Sequence, residues 1–205
     1  MTVQARPSVL VPVGLVVAQG VLFGALGAGL MAGAFAALMG STELGRLVVA
    51  RALGLRRHRT VLHGLGASHD FGRLRLRDAL RVHGAGVLAS GLLTVACSFG
   101  DSYLAISIAG MGLYWTGIQA SPVSATCGGD AVWAVLTWFL GPIRGSDVCA
   151  RLTLFGGLAG VWAGLQLGTG FLIPLSVVAL HHGWRSYRSR TTEPPELLVL
   201  PGAPA

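Results

Sequence analysis

The chain has 205 residues, 53% hydrophobic and only 11% charged, where ordinary soluble domains carry about 25% charged residues. That balance excludes a soluble globular domain and a disordered polar chain. The net charge of +7 comes from 15 cations that are all arginine, and in a membrane protein such an excess marks cytosolic loops rather than nucleic-acid binding.

Residues 8–39 form an uninterrupted apolar run. A spanning helix needs about 20 residues and a secretory signal core only about 7–15, so the run predicts a membrane span with length to spare. One long tilted helix is the preferred reading, and a re-entrant hairpin broken in the Gly-rich centre is the alternative. Gly20, Gly24, Ala28, Ala32, Ala36 and Gly40 repeat a small residue every fourth position. Such a stripe lets helix backbones approach closely in lipid.

Residues 41–82 are the long polar segment, expected as a basic cytosolic loop. It carries Arg46, Arg51, Arg56, Arg57, Arg59, Arg73, Arg75, Arg77 and Arg81. Leu44, Leu47, Val48 and Ala52 recur at helical spacing, which predicts a short amphipathic helix on the membrane surface, capped by Ser41 or Thr42. Arg46, Arg51, Arg56, Arg57 and Arg59 are candidates for contact with anionic lipid headgroups, each worth about 1 kcal/mol. The same charges would also orient the chain.

Residues 84–100 and 103–121 are two further apolar runs, joined by the turn residues Gly100-Asp101-Ser102. Residues 123–143 read in two ways. They are a span that carries Asp130 inside the membrane, or a half-helix that dips in and returns. After Gly128-Gly129, Asp130 is also suited to cap a helix N-terminus. The last run, 152–181, carries a second ladder, Gly156, Gly160, Gly164 and Gly168, with Pro174 late in it.

The expected fold is all-α, a polytopic membrane helix bundle of five transmembrane helices, or four if 123–143 is re-entrant. Residues 1–182 make one membrane-embedded domain, and 183–205 a short disordered tail. Five spans place the 41–82 loop and Arg185, Arg188 and Arg190 on the cytosolic side, with Trp184 and Tyr187 at the interface.

Chemistry inside the spans is sparse. Gln19, Gln119, Gln166 and Asp130 are the candidates for a polar path. An amide there either lines a solute route or bonds a neighbouring carbonyl, worth about 0.6 kcal/mol on average. The lack of other charges argues against ion-coupled transport. His58, His63, His69, His83, His181 and His182 fall together on the cytosolic side in five spans. A site from His63, His69, Asp70 and the His181–His182 pair matches no zinc spacing, so no metal and no cofactor is assigned. Ser68-His69-Asp70 has the residue types of a triad, but adjacent residues cannot adopt its geometry. No HExxH, nucleophile-elbow or phosphate-loop pattern is present. Cys97, Cys127 and Cys149 have no metal spacing, and Cys97 and Cys149 are expected to stay as thiols rather than pair. Glu193 followed by Leu197-Leu198 has the shape of an acidic dileucine signal.

These features lean away from an enzyme. The expectation is a non-enzymatic membrane protein acting through helix packing, as a scaffold, assembly factor or accessory subunit. A small channel or carrier for an uncharged or hydrophobic solute is the alternative. Its expected partners are the bilayer, anionic headgroups, and a second copy or another membrane protein, with no nucleic acid.

Overall fold

A computed structural model describes residues 2–5, 7–56, 59–63, 65–71, 74–123, 126–166 and 172–192. Helices carry most of them: α1 (Leu10–Ala52), α2 (Leu76–Cys97), α3 (Tyr103–Ala120), α4 (Cys127–Gln166) and α5 (Leu172–Thr192). A small sheet is the part the sequence did not announce. β1 (Thr2–Ala5) runs parallel to β2 (Arg59–His63), and β3 (Gly66–Asp70) pairs antiparallel on the other side of β2.

Helix α1 is broken at Gly24, whose φ of 75° and ψ of −176° suit glycine alone. The break follows from geometry. Residues 2–5 pair with β2, while Glu43 reaches β3. An unbroken helix from residue 10 to 43 would place those ends about 50 Å apart. Gly24 therefore bends the chain back to the sheet. Residues 8–39 are thus not one unbroken helix. The expected surface helix does not separate from α1: the second limb runs without interruption from Gly24 to Ala52.

That limb buries one stripe, Ala34, Leu38, Thr42, Arg46 and Ala50, each no more than 2% exposed. The expected seam lies elsewhere on the helix. Gly24, Ala32, Ala36 and Gly40 are exposed, Ala28 is half-buried, and nothing lies within 4 Å of a Cβ added at Gly40. The side chain of position 20 lies outside the described residues. Close approach to α2 is made by Gly45 instead. A Cβ there would stand 2.5 Å from the Ala85 carbonyl and 2.7 Å from Ala89 Cβ.

Helices α2 and α3 form a hairpin across residues 98–102, with the Ser102 hydroxyl accepting from the Ala105 amide at 3.1 Å. Trp115 of α3 packs edge-on against Phe35, ring centroids 5.0 Å apart, within the Ala34–Leu38–Ile108 core.

Helix α4 is broken at Gly141 (φ 78°, ψ 167°), directly before Pro142. Its limbs lie against each other: Trp133 Nε1 donates to Ser146 Oγ at 2.8 Å, and Cys149 Sγ lies 3.8 Å from the Gly129 carbonyl. The limb 127–140 is about 21 Å long, short of the roughly 30 Å hydrocarbon core. The chain bends back at Gly141, and the next limb begins at Pro142 rather than at 152. Beyond it, Gly157 and Gly160 face Leu180 and Ser176 of α5, and Gly156 faces Val123. Gly164 is buried, and position 168 lies outside the described residues. No disulfide joins Cys97, Cys127 and Cys149.

Among the described residues, Gly24–Ala52, Leu76–Cys97 and, taken across its break, Cys127–Gln166 are long and apolar enough to cross a membrane. Large apolar side chains such as Val21, Leu26, Leu88, Leu92, Phe155 and Trp162 point outward. The protein is a helical integral membrane protein.

Candidate functional site

Four elements meet where α1 passes beneath the sheet. Glu43 and Arg46 project from α1, His83 from α2, His69 from β3 and Asp130 from the first turn of α4. Thr126 caps α4 by accepting from the Gly129 amide at 3.1 Å, which leaves Asp130 available to the cluster.

Arg46 is the centre. Only 2% exposed, it donates from Nη1 to the Ala67 carbonyl at 2.6 Å and to Glu43 Oε1 at 3.4 Å. Nη2 lies 3.5 Å from Asp130 Oδ2 and 3.5 Å from His83 Nδ1. Among the described residues its Nε has no partner. Glu43 is equally engaged. Oε1 accepts from the Ala67 amide at 3.2 Å, and Oε2 accepts from His69 Nε2 at 2.5 Å. With Nε2 donating, His69 Nδ1 accepts from the Thr60 hydroxyl at 3.1 Å. Glycine makes room for the arginine: a Cβ at Gly86 would meet Arg46 Cγ at 2.8 Å and Cys127 Sγ at 2.7 Å. Removing two carboxylates and a guanidinium from water costs several kcal/mol per ion, offset only by close pairing.

The pair Glu43–Arg46 therefore holds one backbone unit at both ends. Glu43 takes the N–H of Ala67 and Arg46 takes its C=O. A neighbouring strand offers an edge residue the same donor and acceptor.

Much of this departs from the expected sites. Arg46 touches buried partners rather than headgroups. Arg51 and Arg56 are exposed, while the side chains of Arg57 and Arg59 lie outside the described residues. Glu43 was in no expected site, His83 appeared only among the six histidines, and His69 only in a metal set and an adjacent triad that were both set aside. Gln119 is buried and structural, donating to the Leu65 carbonyl at 2.8 Å and accepting from the Cys127 amide at 3.2 Å. Gln166 is exposed at the end of α4. The side chains of Gln19, His63, Ser68 and Asp70, and the tail dileucine, lie outside the described residues. Apolar cavities of about 440 Å³ and 310 Å³ lie between α1 and α3 and among α3, α4 and α5. Neither is lined by a residue of the cluster.

No family model and no curated protein matches the sequence. Among solved structures, the chain is similar to the site-2 protease from Methanocaldococcus jannaschii. The TM-score is 0.73 at 19% identity, covering 91% of this chain and 90% of that one. The two share a fold over about nine-tenths of each chain. This overturns the expectation of a non-enzymatic packing protein, and of its channel alternative, because the architecture is one that a membrane protease also uses.

The likeness to a protease structure raises the question of a metal. One large class of proteases holds zinc on a helix through His-Glu-x-x-His, with the glutamate as base. Residues 42–46 read Thr-Glu-Leu-Gly-Arg. The glutamate has its place in that frame, but Thr42 and Arg46 stand where the two histidines would. Thr42 Oγ1 is already used, donating to the Leu38 carbonyl at 2.9 Å and accepting from Trp115 Nε1 at 3.0 Å. Among the described residues no three His, Cys, Asp or Glu side chains are placed to hold one ion. This donor set does not fit a metal.

Proposed function

We propose that the protein is a membrane-embedded peptide hydrolase that acts on an extended segment of another membrane polypeptide at the Glu43–Arg46 centre. The observation that carries this is the double grip on Ala67. The pair is spaced to take the N–H and C=O of one residue, and every extended polypeptide presents those groups. An incoming backbone that exchanges with Ala67 brings its own carbonyl to the guanidinium.

The chemistry then follows from the side chains. Arg46 polarises the substrate carbonyl and stabilises the oxyanion, where a fixed cation in a dry site acts most strongly. Glu43 takes a proton from the attacking water as the C–O bond forms. When the C–N bond breaks, the proton passes to the leaving amine, with His69 orienting the carboxylate that carries it. The partly exposed Glu43 and Asp130 side chains, at 17% and 30%, are the route of access.

The test uses the full chain in lipid nanodiscs with a library of single-span peptides, new N-termini being read by mass spectrometry. Cleavage by the wild type that falls at least 100-fold in Glu43→Gln is expected, in the range of a lost general base. Equal product from both proteins, or none from either, overturns the reading.

A further inference from the structure

We infer that Arg46 serves as the permanent cation of this site in place of a metal ion, so that its chemistry is metal-independent. The inference rests on the peptide-site reading above but not on cleavage itself. Arg46 follows Thr42 by one helical turn, and both lie on the buried stripe of α1. Those are the places at which a helix presents two metal-binding histidines on one face. One place holds a hydroxyl committed to Leu38 and Trp115, and the other holds a positive charge.

That charge is where a metal's would be needed. The guanidinium lies 3.4 Å from Glu43 Oε1 and 3.5 Å from Asp130 Oδ2, the two carboxylates of the cluster. A zinc ion bonded to either oxygen at about 2.0–2.2 Å would stand within about 6 Å of the guanidinium. Two like charges that close repel one another, the more strongly the less water lies between them. The arginine cannot yield by losing its proton, because a guanidinium does not deprotonate in proteins. Gly86 completes the arrangement, since its missing Cβ is what admits the arginine stem. The structure thus accommodates a bulky organic cation where a compact inorganic one would require an open, anionic pocket.

Zinc content separates this inference from the hydrolase reading, because it needs no substrate. The intact protein is purified in detergent from zinc-supplemented cells and measured by elemental mass spectrometry. Its unfolding temperature is recorded with and without a chelator, since an ion bound only to the folded state raises that temperature. Far less than one zinc per chain and no chelator effect are expected of the wild type. The double variant Thr42→His/Arg46→His is expected to take up one zinc per chain and to lose stability on chelation. One zinc per wild-type chain, lost in Glu43→Gln or Asp130→Asn, overturns the inference, and so does a folded double variant that takes none. If the double variant does not fold, the wild-type measurement decides alone.

Discussion

Arg46 sits where the cost of an error is greatest. Arg46 is buried and its two carboxylate partners are partly exposed, so removing the cation leaves both without their counter-charge. Arg46→Met is expected to destabilise the protein by about 3–5 kcal/mol, the range for breaking a buried ion pair from one side. Arg46→Lys should recover part of that loss, because lysine restores the charge but not the fork that reaches Ala67, Asp130 and His83 together. Chemical unfolding in detergent, followed by circular dichroism, measures both. A loss below about 1 kcal/mol in Arg46→Met would show an exposed, screened pair instead. At this scale the sequence was hard to read for a definite reason. Glu43 and Arg46 belong to the polar run that begins at Ser41, and such polarity reads as the end of a span. His69 sits in sequence between Ser68 and Asp70, neighbours with which it can form no triad, and in a histidine set with no zinc spacing. Its real partner lies 26 positions away, on another element.

Among the elements, the two glycine breaks decide the architecture. Gly24 and Gly141 combine a φ near +75° with an extended ψ, a region closed to residues with a Cβ. Gly24→Ala and Gly141→Ala should each cost about 1–3 kcal/mol although neither added methyl meets another atom. Thermal unfolding checks this, and unchanged midpoints in both would remove the breaks from the account. The ladders show what periodicity does and does not reveal. A small residue every fourth position marks one face of a helix, but the pattern does not say which way that face points. On α1 it points outward, two residues round from the buried stripe. Gly40→Leu is therefore expected to change stability by no more than about 0.5 kcal/mol. Gly157→Leu should cost about 1–3 kcal/mol, because its Cβ would already lie 2.7 Å from Leu180 Cγ. Equal effects of the two substitutions would contradict the packing described here. The sheet escaped sequence reading because its strands are four or five residues long and lie among arginines and histidines.

For the molecule as a whole, membrane class was legible from composition, since so few charges cannot cover a soluble surface. The likeness to a protease was not. At 19% identity, shared architecture is kept by apolar faces and turns that many sequences satisfy, and the Thr-Glu-Leu-Gly-Arg segment lacks the histidines a motif search needs. One feature of the cluster also bears on how the protein is made. Asp130 follows Arg46 by 84 residues. At a synthesis rate of about 5–20 residues per second, roughly 4–17 s pass before that carboxylate exists. Glu43 precedes the arginine by three residues and is present from the start. One of the two acids therefore stands beside the arginine throughout the interval before the other exists.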